Sequence, residues 1–282
     1  MKIETGAMPS TTERVTDFLA LTKPRLNSLV VITTAVSFYL ANVGPLDLLI
    51  LLHTTVGVAL IAGGAAALNQ VAERDLDSIM ERTRHRPLPT GRVKPVEGKI
   101  FGAVLVAIGT SELALATNWL ATTIALITLV SYVGVYTPLK RLTPWSTLVG
   151  AVPGALPPMI GWTAARGSLE PAAWVLFGIV FFWQLPHFHA LAWMYLKDFK
   201  RANIPIVAVL DQTGRRTSAH ALAYTVVLFP VSLAPSLVGL SGRLYIVGTV
   251  VAGIGLFTLA MHFTLQQTTD RARRLFFGSL IY

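Results

Sequence analysis

The sequence contains no cysteine, which excludes a disulfide framework, a thiolate metal site and a cysteine nucleophile within these 282 residues. Charged residues are also scarce. They make up 13% of the chain, about half of the roughly 25% that is usual in soluble domains. Hydrophobic residues make up 53%. This apolar excess excludes both an ordinary soluble enzyme and an intrinsically disordered chain, and it indicates an integral membrane protein.

Long apolar runs, bounded by proline, glycine or charged residues, divide the chain into segments that can cross a bilayer as helices of about 20 residues. A ninth run begins after the basic residues 271–274 and stops at Tyr282, which leaves it too short to span. The sequence therefore predicts an all-α fold, a polytopic membrane bundle of eight clear transmembrane helices plus a short or truncated ninth. The eight predicted spans are 26–43, 48–70, 99–117, 119–137, 146–165, 171–194, 218–240 and 243–263.

Lysine and arginine lie almost entirely on one side of this predicted bundle. Of the 23 Lys and Arg residues, all but Arg166 and Arg243 fall in connections on the side of the N-terminus. By the positive-inside rule, the N-terminal segment 1–24 and the two large loops 71–98 and 195–217 are expected in the cytoplasm, with the chain in the cytoplasmic (inner) membrane. Topology thereby explains the net charge of +9 without a nucleic-acid partner.

Three oxygen-bearing side chains are spaced by four residues where the second predicted helix enters its charged loop. On a helix that turns about 100° per residue, Asn69, Glu73 and Asp77 lie within roughly 80° of one another. Two carboxylates and an amide are hard oxygen ligands of the kind that Mg²⁺ prefers, and Mg²⁺ leaves its other positions to water and substrate phosphates. We therefore expect a catalytic Mg²⁺ site here, because carboxylates at a membrane boundary are costly without a partner.

Basic side chains accompany this predicted metal site. Arg82 and Arg86 follow it in the same loop, and Lys140 and Arg141 lie in the short turn between the fourth and fifth predicted helices. Cationic groups beside a metal ion bind and neutralise a diphosphate, so these four are the predicted diphosphate-binding residues. The alternative is that they are solvated loop charges that only set the topology.

The same stretch resembles the first aspartate-rich motif of the UbiA superfamily of intramembrane prenyltransferases. Asn69, Glu73 and Asp77 form the pattern NxxxExxxD, and MERTRHRPLPTGR follows it. Two further blocks, FFWQLPHFHALAWMYLKDF at residues 181–199 and NIPIV shortly after it, are similar to the haem-modifying branch of that superfamily. The resemblance covers nearly the whole chain and implies a single transmembrane prenyltransferase domain, residues 1–282, with its active-site loops in the cytoplasm.

The activity that this resemblance implies is Mg²⁺-dependent transfer of a farnesyl group from farnesyl diphosphate to a vinyl group of haem b, with addition of water. The implied partners are these two substrates, the lipid bilayer and haem A synthase, the enzyme that would use the product.

A second polar position follows from the same resemblance. Other members of the superfamily carry a second pair of acids four residues apart, at positions that correspond here to Met194 and Asp198. The resemblance implies a catalytic role for Asp198 at a second metal ion or at the substrate, and the missing acid argues against a symmetrical two-metal site. The alternative is that Asp198 simply pairs with Lys197, Lys200 or Arg201.

Polar and aromatic side chains within the sixth predicted helix suggest a haem contact. Pro186 frees a backbone carbonyl, and His187 follows it near membrane depth, where a polar group needs a partner. A haem offers its iron or its propionates to the imidazole, and Trp183 can pack on a porphyrin face. His187 and Trp183 are therefore the predicted haem-binding residues. The alternative for His187 is a hydrogen bond to a neighbouring helix.

Three other functions remain open from the sequence. A related prenyltransferase would act on a quinone precursor or another lipid acceptor. A proton-coupled transporter would use the intramembrane residues His53, Glu112 and His187 as a proton path. A haem-binding oxidase or synthase would use paired axial histidines. Metal-dependent release of diphosphate distinguishes the prenyltransferases from the transporter.

Overall fold

The computed structural model describes residues 11–282, and all of the regular secondary structure in this range is helical, as the apolar runs predict. The first ten residues of the N-terminal segment lie outside the described residues, so the prediction for that part has no structural outcome. A π-helical segment, Val130–Tyr136, joins α6 to α7. In chain order the helices are α1 (Thr11–Leu21), α2 (Pro24–Ala41), α3 (Leu48–Ala72), α4 (Arg74–Ile79), α5 (Pro95–Ala116), α6 (Trp119–Leu129), α7 (Thr137–Leu139), α8 (Ser146–Ala155), α9 (Pro157–Arg166), α10 (Pro171–Met194), α11 (Leu196–Arg201), α12 (Val207–Leu210), α13 (Arg215–Leu237), α14 (Arg243–Leu265) and α15 (Thr269–Ile281).

Within residues 11–282, seven helical segments are long and apolar enough to cross a membrane. They correspond to the second to eighth predicted spans. Two of them each consist of more than one helix. One runs from α6 through the π-helical segment to α7, and the other combines α8 with α9. The seven are Leu48–Ala72, Pro95–Ala116, Trp119–Leu139, Ser146–Arg166, Pro171–Met194, Arg215–Leu237 and Arg243–Leu265.

The first and ninth predicted spans correspond to shorter helices. α2 has 18 residues, begins at Pro24 and carries the polar residues Arg25 and Asn27 in its first turn, and it is not among the seven. It packs against α3 and α9 and so belongs to the bundle. α15 has 13 residues, which rise about 20 Å, less than the hydrocarbon core of about 30 Å. The structure therefore confirms an all-helical membrane bundle, but neither the count of eight clear spans nor that of a ninth.

Helices α3 and α5 approach closely because glycines face each other across their contact. A Cβ atom on Gly64 would lie 2.6 Å from the carbonyl oxygen of Gly102, and one on Gly109 would lie 2.7 Å from that of Gly57. Lipid is as apolar as leucine, so helices in a bilayer associate through such close packing rather than through the hydrophobic effect. The contact holds α3, which ends at Ala72 just before the connection 71–98 turns into α4, closely against α5.

The two large connections are partly helical rather than simple loops. The connection 71–98 contains α4, and the connection 195–217 contains α11 and α12. They meet at one end of the bundle, where the Asp198 side chain accepts a hydrogen bond from the backbone N–H of Glu81 at 3.2 Å. Lys140 and Arg141 contact Glu73 and the carbonyl of Ala72 at the same end, so all the residues predicted to bind metal or diphosphate lie at a single end.

The close α3–α5 contact makes a stability prediction. Gly64→Ala should lower the free energy of unfolding by about 1–3 kcal/mol, because the added methyl group must push the two helices apart. Thermal unfolding of the detergent-purified protein measures this. The matched control is Gly248→Ala in α14, where a Cβ atom would meet open space. The control should be neutral or slightly stabilising, since alanine favours helix over glycine. Equal melting temperatures for the two variants would contradict the packing described.

Candidate active site

A cavity of about 490 Å³ lies where the charged connections meet the bundle. Its two parts differ in character, since polar and charged side chains surround the mouth and apolar side chains line the interior. The mouth is formed by Lys23, Asn69, Glu73, Asp77, Arg82, Arg86 and Lys140, and the interior by residues such as Val30, Val58, Ile61, Ala125 and Ile160. Such a cavity suits an amphipathic ligand with an anionic head and an apolar tail.

The predicted metal ligands lie together at this mouth, although the helix that carries them bends. α3 ends at Ala72 and α4 begins at Arg74, so Glu73 stands at a junction rather than within one continuous helix. Hydrogen bonds continue across the junction, from Glu73 N to Asn69 O at 3.0 Å and from Asp77 N to Glu73 O at 2.8 Å. The three side chains therefore keep a common face, as their spacing predicts, and all three are buried.

Cations and polar groups neutralise these buried side chains. The ammonium group of Lys140 forms an ion pair with Glu73. The Arg86 guanidinium donates to Asp77 at 2.8 Å. The Asn69 amide donates to Glu73 Oε1 at 2.6 Å and to the Thr137 hydroxyl at 2.9 Å. Each predicted metal ligand is thus held in place by hydrogen bonds or ion pairs from other side chains.

The chemistry of this donor set suits a hard divalent cation. Within residues 11–282, no group of three or more His, Asp and Glu side chains is placed to hold a metal ion. Here the donors are two carboxylates, Glu73 and Asp77, with the side-chain oxygen of Asn69 as the third. Three oxygen donors are compatible with Mg²⁺, which usually completes its octahedron with water and substrate phosphates.

Lys23 is a residue of this site that the sequence analysis did not identify. Its ammonium group donates to Asn69 Oδ1 at 3.2 Å. The pKa of Lys23 is lowered to about 8, mainly by burial and also by the positive charges of Arg86 and Lys140, while Glu73 and Asp77 act in the opposite direction. In the sequence, only the position of Lys23 immediately before Pro24 sets it apart from the other basic residues of the N-terminal segment. In the structure, Lys23 adopts the left-handed backbone region (φ 48°), which is unusual for a residue other than glycine.

Of the two neighbouring cations in the turn after α7, only Lys140 lines the cavity. Arg141 instead donates to the backbone carbonyl of Ala72 at 2.6 Å. This bond satisfies one of the carbonyl groups that the end of α3 leaves free. The predicted contact of Arg141 with diphosphate is thus not supported by where its side chain lies.

Arg82 and Asp198 also differ in their position relative to the cavity. Arg82 lines the cavity, and its guanidinium lies 5.5 Å from the centre of the Tyr195 ring. Burial lowers the pKa of Arg82 from its ordinary value, with a further contribution from the positive charge of Arg86. Asp198 does not line the cavity, and both of its carboxylate oxygens accept hydrogen bonds from backbone N–H groups, those of Glu81 and Arg82.

The predicted haem-binding residues, His187 and Trp183, contact α15 rather than the cavity. His187 Nδ1 lies 2.8 Å from the Ser279 hydroxyl, and Trp183 donates from Nε1 to the Ser279 carbonyl at 2.5 Å. Both therefore pack against α15, which is the arrangement of the alternative interpretation for His187. The α10 residues that line the cavity include Gln184 and Phe188, which the sequence analysis did not identify. The haem assignment of His187 and Trp183 stays a prediction.

The structure brings together only two of the three intramembrane groups of the transporter hypothesis. His53 and Glu112 form a contact of 2.6 Å between α3 and α5, whereas His187 contacts Ser279 and the ring of Phe276. The geometry favours a diphosphate site at the cavity mouth over a proton path through these three residues.

Comparison with known proteins finds relatives that match most of this chain. The profile of the UbiA prenyltransferase family matches residues 30–281. The chain is 44% identical over 275 residues to the protoheme IX farnesyltransferase of Solibacter usitatus (strain Ellin6076), and the alignment covers 94% of each chain.

Solved structures show the same fold. A structure of digeranylgeranylglyceryl phosphate synthase matches with a TM-score of 0.80 at 17% identity, over 95% of this chain and 94% of that one. A UbiA homolog from Archaeoglobus fulgidus bound to DMAPP and Mg²⁺ matches with a TM-score of 0.71 at 14% identity, over 94% of this chain and 98% of that one. At such identities the likeness concerns the fold alone.

The different positions of Lys140 and Arg141 make a second prediction. Lys140→Met should weaken binding of inorganic pyrophosphate in the presence of Mg²⁺ by about tenfold or more, because a charge-assisted contact contributes about 1.5–3 kcal/mol. Arg141→Met should change the affinity by less than about threefold and act on stability instead, since its partner is a backbone carbonyl. Isothermal titration and thermal unfolding measure the two effects. Equal losses of affinity would show that Arg141 also reaches the ligand.

Proposed function

This chain belongs to the UbiA prenyltransferase family, and we propose that it transfers a farnesyl group from farnesyl diphosphate to a vinyl group of haem b, with addition of water. The observation that carries the proposal is the amphipathic cavity, in which a mouth of carboxylates and cations opens onto an apolar interior. The choice of farnesyl donor and haem acceptor rests on the name of the relative that shares 44% of its residues over almost its whole length.

The charged mouth is proposed to bind the diphosphate. Asn69, Glu73 and Asp77 would hold Mg²⁺, in keeping with the bound Mg²⁺ and DMAPP of the Archaeoglobus fulgidus homolog. The metal ion would supply Lewis-acid stabilisation of charge on the departing diphosphate. The side chains of Lys23, Arg82, Arg86 and Lys140 would neutralise the same charge through direct contacts.

The apolar interior is proposed to hold the isoprenoid chain. Val58 and Ile61 of α3 and Ile160 of α9 line this region and exclude water from the reacting carbon. The bond between the farnesyl C1 and the diphosphate oxygen breaks, and its electron pair leaves with the diphosphate. The vinyl group of the haem then forms a bond to C1, and water captures the positive charge that remains on the haem side and releases a proton.

The haem itself is proposed to approach α10 from the side of Trp183 and His187. These two side chains lie on a face of α10 next to the one that presents Gln184 and Phe188 to the cavity. To enter the cavity, a vinyl group of a porphyrin on that face must therefore pass around α10 or displace the contacts of Trp183 and His187 to Ser279.

We further propose that the protein lies in the inner membrane with the charged end of the bundle on the cytoplasmic side, and that haem A synthase uses the product.

The reaction is tested by incubating the purified protein with haem b, farnesyl diphosphate and Mg²⁺, with and without EDTA. We expect a more hydrophobic haem, heavier than haem b by one farnesyl group and one hydroxyl group, that is absent when EDTA is present. Chromatography with mass detection measures it. Unchanged haem together with prenylation of an added aromatic acceptor would overturn the haem assignment and leave a family member with another acceptor. Absence of both reactions in a folded sample would overturn the proposed function.

A variant pair tests the residues of the mouth. Asp77→Asn should lower kcat by at least about 100-fold, because loss of one stabilising contact to a developing charge is worth about 2.7–4 kcal/mol. The matched control is Asp75→Asn two residues earlier, since the Asp75 side chain is 81% exposed and pairs with its neighbour Arg74. The control should retain its activity. A kcat of Asp77→Asn within about threefold of the unmodified protein, with normal thermal unfolding, would remove Asp77 from the site.

A further inference from the structure

The segment that carries Arg82 forms a single helical turn whose first N–H groups lack acceptors within the turn. The N–H groups of Thr83 and Arg84 bond to the carbonyl of Met80, at 3.1 and 2.9 Å. The N–H groups of Glu81 and Arg82 precede these and need an acceptor from elsewhere, as at the start of any helix. A carboxylate is a favourable cap for such groups.

Asp198 supplies that cap from the other large connection. Its Oδ1 accepts from Glu81 N at 3.2 Å, and its Oδ2 accepts from Arg82 N at 3.3 Å. The Arg201 guanidinium lies 3.8 Å from the same carboxylate. Asp198 is buried, yet it does not line the cavity. Both oxygens of this carboxylate are thus directed at the backbone of the connection 71–98.

The side chain of Arg82 is supported from the same place. Its guanidinium lies over the ring of Tyr195, 5.5 Å from the ring centre, and Tyr195 precedes Asp198 by one turn of α11. The start of α11 therefore holds both the backbone and the side chain of Arg82. Arg82 itself lines the cavity, where an anion would meet it.

We propose that Asp198 is a positioning residue that caps the turn 80–84 and so holds the guanidinium of Arg82 at the cavity mouth for a diphosphate, and that it is not a metal ligand. This inference rests on the proposed function, because it assumes that the mouth binds a diphosphate with a divalent cation. It changes the role of Asp198 from a second metal or substrate contact to a structural link between the two large connections.

Binding of inorganic pyrophosphate and Mn²⁺ to the purified protein tests the proposal without a prenyl transfer assay. Pyrophosphate affinity is measured by titration calorimetry, and bound Mn²⁺ is counted by electron paramagnetic resonance. The variants are Asp198→Asn, Arg82→Met and the double variant, with Asp75→Asn as the control for loss of a carboxylate. If Asp198→Asn does not fold, Tyr195→Leu replaces it, because it removes the other support of Arg82.

We expect Asp198→Asn and Arg82→Met each to weaken pyrophosphate binding by about tenfold, and the double variant to be no weaker than Arg82→Met within about twofold, since both changes act through one side chain. The number of bound Mn²⁺ ions and the Mn²⁺ concentration at half saturation should not change. Tyr195→Leu should give the same pattern.

Three results would overturn the inference. The first is a loss of bound Mn²⁺, or a higher requirement for Mn²⁺, in Asp198→Asn but not in Arg82→Met. The second is a double variant whose loss of pyrophosphate affinity equals the product of the fold-losses of the two single variants. The third is normal pyrophosphate affinity in Asp198→Asn, or in Tyr195→Leu where it takes its place. If the unmodified protein bound no pyrophosphate, the proposed function would fall first and the inference with it.

Discussion

Two carboxylates are buried where an apolar bundle meets its polar connections, and the site depends on how their charge is compensated. Glu73 and Asp77 are only 5% and 4% exposed. Removing an ionised carboxylate from water costs several kcal/mol unless a counter-charge and hydrogen bonds offset it. Lys140 and Arg86 supply the counter-charges, and they come from two different connections. Burial of the two carboxylates therefore requires that both connections place their cations beside them.

The same need for partners joins the two large connections, 71–98 and 195–217, and the turn after α7 to one another. Arg141 bonds to a carbonyl group at the end of α3, and Asp198 bonds to N–H groups of the turn 80–84. In each case, a charged side chain of one connection satisfies backbone groups that a helix end or turn in another leaves free. The geometry of the cavity mouth is thus set by contacts between connections, while the helices determine the shape of its apolar interior.

The sequence predicts those features that depend on local periodicity. The helical spans and the common face of Asn69, Glu73 and Asp77 follow from apolar runs and from a spacing of four residues. Contacts between distant segments leave no such pattern. Lys23 reaches Asn69 across 46 positions of the chain. Likewise, apolar residues lie on every side of α10, so their pattern does not distinguish the face of His187 from that of Gln184.

The charge of the cavity bears on how many metal ions it suits. Among residues 11–282, its lining includes four cations and two carboxylates: Lys23, Arg82, Arg86 and Lys140 against Glu73 and Asp77. This positive excess complements a ligand that remains an anion with one divalent ion bound. With Asp198 bonded to backbone N–H groups, a second divalent ion would meet cations rather than carboxylates. Met194, four residues before Asp198, offers no oxygen to change that balance. The second large connection thus contributes the placement of Arg82 rather than negative charge.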